Sequence, residues 1–166
     1  MTNINILQAP YIHPTRRNHA IEHATIHILS ARFPGKGMGG HSNPTGFFII
    51  GDLPTEQVRE AVTEALARLK NGEARLAIHP GCGTNYAVTG GLAALAALYG
   101  FIGTKNTRER IERLPLVTIL AALAFMLGQS LGPVLQQKVT TDADPGDLAI
   151  VDIYPITSRL HRVVTR

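Results

Sequence analysis

The sequence predicts an α+β fold: a small mixed domain with a metal-site helix and a short sheet, plus a two-helix transmembrane hairpin. Three observations carry this. The stretch Asn18-His19-Ala20-Ile21-Glu22-His23-Ala24-Thr25-Ile26-His27 sets three histidines and a carboxylate at helical spacing. Two runs, residues 76–104 and 114–137, extend for 29 and 24 residues without Asp, Glu, Lys or Arg. Short apolar runs at 47–50, 148–154 and 160–164 lie between Gly, Pro and Asp punctuation and read as strands.

Taken in order, residues 1–14 contain Pro10 and Pro14 and read as an extended lead-in. Thr15 is the expected N-cap of a helix over 16–32, which Phe33-Pro34-Gly35 ends. At about 100° per residue, with His19 at zero, Glu22 falls near −60°, His23 near +40° and His27 near +80°, within one wedge of roughly 140°. Ile21, Thr25, Ile28 and Leu29 occupy the opposite, buriable face, so the helix is expected to be amphipathic. The glycine-rich segment 35–46 reads as a turn-rich connector with a hairpin as one option, and its glycines would let backbone approach a ligand closely. Phe47-Phe48-Ile49-Ile50 reads as a buried strand. Thr55 is the expected cap of an amphipathic helix marked by Val58, Ala61, Val62, Ala65, Leu66 and Leu69 and ending near Asn71-Gly72.

Residues 74–78 read as a short strand that delivers His79 and Cys82 to a tight turn. Each uncharged run holds about the 20 apolar residues that cross a bilayer, and both are read as membrane helices; the rival is a buried helical hairpin in a soluble protein. Gly90, Gly91, Ala93, Ala94 and Gly100 would let the first helix approach another closely. The loop at 104–113 carries four basic residues against two acidic ones, which favours a cytoplasmic loop, yet that would place both terminal portions outside, and the orientation stays open. Pro115, Gly128, Gln129, Ser130 and Pro133 suggest that parts of the second helix face protein. After a polar linker at 140–147, two strands around Pro155-Ile156-Thr157-Ser158 are expected to join the sheet. The resulting division is 1–83, an α+β metal-site domain; 84–137, the transmembrane hairpin; and 138–166, C-terminal strands.

A formal charge of +4 is spread along the chain, only 5% of residues are aromatic and no recognition motif is visible, so no nucleic-acid partner is expected. The single cysteine excludes an intrachain disulfide. The first twenty residues lack the apolar core of a cleavable signal, so insertion would depend on the internal helices. The expected location is the cell membrane, crossed twice. The expected partners are the lipid bilayer and either other membrane proteins or further copies of the chain.

His19-x-x-Glu22-His23 is the inverted form of the zinc-hydrolase helix: histidines at i and i+4 reach one metal, and the carboxylate between them can act on water. His79-Pro80-Gly81-Cys82-Gly83-Thr84-Asn85 sets an imidazole and the thiol in a rigid turn that can supply missing ligands. Together these two motifs are similar to those of a bacterial membrane family of unknown function, whose members carry a His-Gly-Ala-Glu-His-Lys helix and a His-Pro-Arg-Cys-Gly-Thr turn and are described as predicted metal-dependent enzymes. The resemblance covers residues 18–103 and implies membrane location and a metal site at His19, Glu22, His23, His79 and Cys82, without a substrate. The chain departs from it at Ala20, Ala24 and Gly81, and its C-terminal strands have no counterpart there.

Two readings follow. With three protein ligands from His19, His23, His79 and Cys82, the site is open, and Glu22 is the general base on metal-bound water of a zinc-dependent hydrolase or peptidase. With four, the site is closed, and the chain is a non-catalytic metal-stabilised membrane subunit or assembly factor in which Glu22 orients a histidine. A redox or tetrapyrrole role has no Cys-x-x-Cys-His to support it. Imidazole with thiolate favours Zn2+, although other transition metals accept the same donors. His27 is expected to be structural, and His13, His41 and His161 to lie at the surface.

Overall fold

A computed structural model describes residues 6–166 and contains four α-helices and a four-stranded antiparallel sheet. It divides into two compact units, Met1–His79 with Gln137–Arg166, and Pro80–Gln136. The first five residues of the expected lead-in lie outside the described part. From Ile6 onward the lead-in is not extended: a 3-10 turn, Ile6–Gln8, is followed by helix α1 over Ile12–Arg32. The helix starts three residues before Thr15 because the Ala9 carbonyl accepts from the Ile12 and His13 amides, and Pro14 falls in the first turn, where a missing N–H costs little.

Helix α1 is not amphipathic as expected. Every residue from Ala20 to Ile26 is buried, with Ile21 0% exposed, Glu22 4% and His23 2%. Within the polar wedge Glu22 and His23 are therefore enclosed by protein, while His19 and His27 are half-buried. On its apolar side Ile21 and Leu29 share a core with Phe47, Ile49, Val58 and Val62. Each large side chain buried in this way contributes about 1.5–3 kcal/mol.

Strands β1, Gly39–Asn43, and β2, Gly46–Ile50, form a hairpin, the option noted for the glycine-rich connector. Helix α2, Thr55–Lys70, buries Val58, Ala61, Val62, Ala65 and Leu69, and its N-cap is Pro54, not Thr55. The expected strand at 74–78 is instead a 3-10 helix, Ala74–Ala77; its few apolar residues carry no period that separates the two. Strands β3, Ile150–Thr157, and β4, Leu160–Thr165, complete the sheet in the order β1-β2-β4-β3. Pro155 to Thr157 lie within β3, not in a turn, and the register breaks between Pro155 and Thr157. Proline is accommodated there because β3 is an edge strand.

In the second unit, α3 spans Gly83–Gly100 and α4 spans Thr107–Leu135. Asn106 caps α4 by accepting from the Glu109 amide, and Glu109 in turn accepts from the Lys105 amide, so most of the expected basic loop is helix. The two helices lie against each other closely: a Cβ added to Gly128 would sit 2.6 Å from the Thr89 Cα. Beyond Pro133 the chain enters a π turn, Gln136–Thr140. Among the described residues one helix, Thr107–Thr140, is long and apolar enough to cross a membrane. Helix α3 is 18 residues long but dilutes its apolar residues with Gly, Thr84, Asn85 and Tyr86 and is not apolar enough, so the expectation of two such helices is met by only one.

His161, expected at the surface, is 1% exposed. Its Nε2 lies 3.2 Å from the Thr55 hydroxyl and its Nδ1 has no hydrogen-bond partner. Burial holds this imidazole below its usual range. The unfolded chain thus binds a proton that the folded one resists, so stability is complete above about pH 6.5 and declines below it. The urea midpoint is expected to fall between about pH 7 and pH 5, and to fall less in His161→Gln; an equal fall in both would remove His161 as a cause.

Candidate metal centre

Helical spacing puts His19 and His23 one turn apart, and their ring centroids are 4.2 Å apart. Both rings are oriented through Nδ1: His19 reaches the Thr140 carbonyl at 2.9 Å, and His23 the Ala77 carbonyl at 2.7 Å. A carbonyl only accepts, so Nδ1 carries the proton in each, and the lone pair lies on Nε2. His27 is held the other way round, with Nε2 donating to the Ile78 carbonyl at 2.7 Å. His79 lies beside two of them, its ring 5.7 Å from His23 and 4.9 Å from His27. Four imidazoles from α1 and the segment after the 3-10 helix thus form one cluster.

The carbonyls that orient these rings are positioned in turn. Arg16, 9% exposed, donates from Nε to the Val139 carbonyl at 2.7 Å and from a terminal nitrogen to the Thr141 carbonyl at 2.8 Å. This grips both sides of Thr140. Metal-binding histidines commonly donate the remote ring N–H to a backbone carbonyl, which fixes tautomer and direction.

Glu22 is buried beside the cluster and accepts a hydrogen bond from the Ser42 hydroxyl of β1 at 2.5 Å. Gly40, two residues earlier on the same face, makes room for it: a Cβ there would overlap Glu22 Oε1 and lie 2.6 Å from its Cδ. Cys82 is the N-cap residue of α3, in the other unit, and is buried. Of the remaining histidines, His41 is exposed, and His13 is half-buried, 3.5 Å from Asp142.

Sequence reasoning missed Arg16 and Ser42. The readable signal for Ser42 was the glycine two residues before it; Arg16 gave none, because its partners lie more than 120 residues away.

A model for a domain of unknown function, DUF6391, matches residues 14–153. The chain belongs to this family. It is also similar to an uncharacterized protein of Picosynechococcus sp., at 35% identity over an alignment of 160 residues, gaps included, that covers 86% of this chain and 72% of that one. No solved structure matches. The DUF6391 match spans His19, Glu22, His23, His27, Gly40, Ser42 and His79, and its description names no metal and no reaction.

The closeness of Gly40 to Glu22 is testable in this DUF6391 domain. Gly40→Ala is expected to lower stability by about 1–3 kcal/mol through overpacking. In a Glu22→Ala background the same substitution should cost far less; an equal cost in both backgrounds would show that the two residues do not compete for space.

Proposed function

We propose that this DUF6391 protein is a membrane-bound, zinc-dependent hydrolase whose metal is held by three of His19, His23, His79 and Cys82, with the fourth position left for water or substrate. The observation that carries the reading is the pair of Nδ1–H bonds from His19 and His23 to backbone carbonyls, which turns the lone-pair nitrogen of each ring away from the backbone. Cys82 enters by its tether: three residues after His79, its Cα stays within about 11 Å of that residue's. A bound zinc ion supplies a Lewis acid that polarises a substrate carbonyl and eases loss of a proton from water. Glu22 takes that proton and returns it to the leaving group, while Ser42 fixes the carboxylate's direction.

The burial of Glu22 favours one rival, a closed metal site in which the carboxylate only supports a histidine. Metal analysis of purified protein separates the two when joined to a hydrolysis assay. Zinc is expected near one per chain in wild type and in Glu22→Gln, and lost in His23→Ala. Hydrolysis should fall by about 10²-fold or more in Glu22→Gln. Full activity there would remove Glu22 as the base, absence of hydrolysis from zinc-loaded wild type would favour the closed site, and absence of zinc from wild type would overturn both.

Support for two membrane crossings comes from chain closure. Strand β2 precedes α3 and α4 in the chain, β4 follows them, and the two pair residue for residue from Gly46 with Val164 to Ile50 with Leu160. Both ends of residues 80–136 therefore return to one sheet, an arrangement that suits an even number of crossings. Exposed Leu95, Leu98, Ile119, Leu123 and Met126 suit a lipid surround. Cysteines introduced at Lys36, Lys105 and Asp147 for labelling with an impermeant maleimide should put Lys36 and Asp147 on one side and Lys105 on the other. Lys105 on the same side as the others would exclude the hairpin.

A further inference from the structure

The two edges of the sheet differ. Strand β3 carries Pro155, the acidic Asp152 and two breaks in register, devices that keep an edge from pairing with another chain. Strand β1, Gly39-Gly40-His41-Ser42-Asn43, has none of them, and its register with β2 is regular. Among the described residues no strand pairs with its outer side.

The direction of its backbone groups follows from the hairpin. The loop is Pro44-Thr45, and Asn43 pairs with Gly46 across it. In a two-residue hairpin the pair beside the loop exchanges hydrogen bonds, and so does every second pair beyond it. Asn43, His41 and Gly39 thus bond to β2, whereas Ser42 and Gly40 turn N–H and C=O outward. These donors and acceptors repeat at about 6.8 Å, the two-residue step of an extended chain. The same two residues touch Glu22 on the helix side: one by its hydroxyl, the other by lacking a side chain. A strand added to this edge would run about 4.8 Å from β1 and bring its peptide groups alongside the carboxylate.

We propose that the substrate of the site is a polypeptide in extended conformation, bound as a fifth strand on β1 with one carbonyl presented beside Glu22. This rests on the hydrolase reading above. Water adds to that carbonyl carbon, the C–N bond breaks, and the proton taken by Glu22 passes to the departing amine, leaving a carboxylic acid and an amine. Recognition is by main chain, so preference among side chains is loose and tolerance of backbone modification is low.

The test uses zinc-loaded full-length protein in detergent, a mixture of capped nonapeptides of random sequence and, separately, 4-nitrophenyl acetate, a small ester that needs the reactive centre but no strand. Wild type should cleave both. A copy of the best-cleaved peptide with alternate backbone nitrogens methylated should be cleaved about tenfold more slowly or worse, the effect of losing one or more hydrogen bonds. On the protein side, Ser42→Pro removes an outward N–H and Ser42→Ala does not, while both lack the hydroxyl; whatever the loss of the hydroxyl does to each, the ratio of peptide to ester hydrolysis should be about tenfold lower in the proline variant than in the alanine variant. Ester hydrolysis without peptide cleavage, or equal cleavage of methylated and plain peptide, overturns strand addition and leaves the hydrolase intact. Failure with both probes in zinc-loaded protein overturns the hydrolase reading as well. Misfolding of the proline variant leaves the methylated peptide to decide.

Discussion

A helix that takes histidines and a carboxylate out of water has to give each of them a partner inside the protein, and helix α1 sets this requirement for everything around it. An unpaired buried polar group costs about 1–3 kcal/mol, so a handful of them would consume the stability of a small domain. The solution is a ring of backbone carbonyls. Ala77 and Ile78 come from the segment after α2, and Thr140 comes from the far end of the chain. Asn18 obeys the same rule, donating to the Asn43 carbonyl and accepting from the Thr165 hydroxyl. The helix is thereby tied to both sheet-forming halves of the sequence.

The same requirement explains why the C-terminal segment returns. Strand β4 enters between β2 and β3, and Arg16 fastens the stretch before it through three carbonyls, those of Lys138, Val139 and Thr141. An arginine suits the task because its planar fork offers five donors that remain charged at any physiological pH. The apolar pair α3 and α4 is thus an insertion into a sheet domain whose two halves close on one another.

Much of the fold was legible in residue patterns. The 3.6-residue period located α1 and α2, the Phe47-Phe48-Ile49-Ile50 run located β2, and proline and glycine marked the end of α1. What misled was local ambiguity. Five residues at 74–78 carry too little pattern to separate a strand from a 3-10 turn, and a loop rich in charge at 104–113 concealed a capped helix start. His161 reads as a surface residue only while its strand is unplaced; next to β2 it is buried.

By itself the sequence determined what repeats within a few residues: the neighbouring rings of His19 and His23, the closeness of His79 to Cys82 along the chain, and the uncharged length of α4. Only the tertiary structure decided which carbonyl orients each ring, that Gly40 and Ser42 enclose Glu22, and that β1 ends the sheet. The physical reason is range. Helical and strand periods are fixed by backbone geometry over one or two turns, whereas hydrogen bonds spanning more than 50 or 120 residues depend on how distant segments satisfy one another's polar groups.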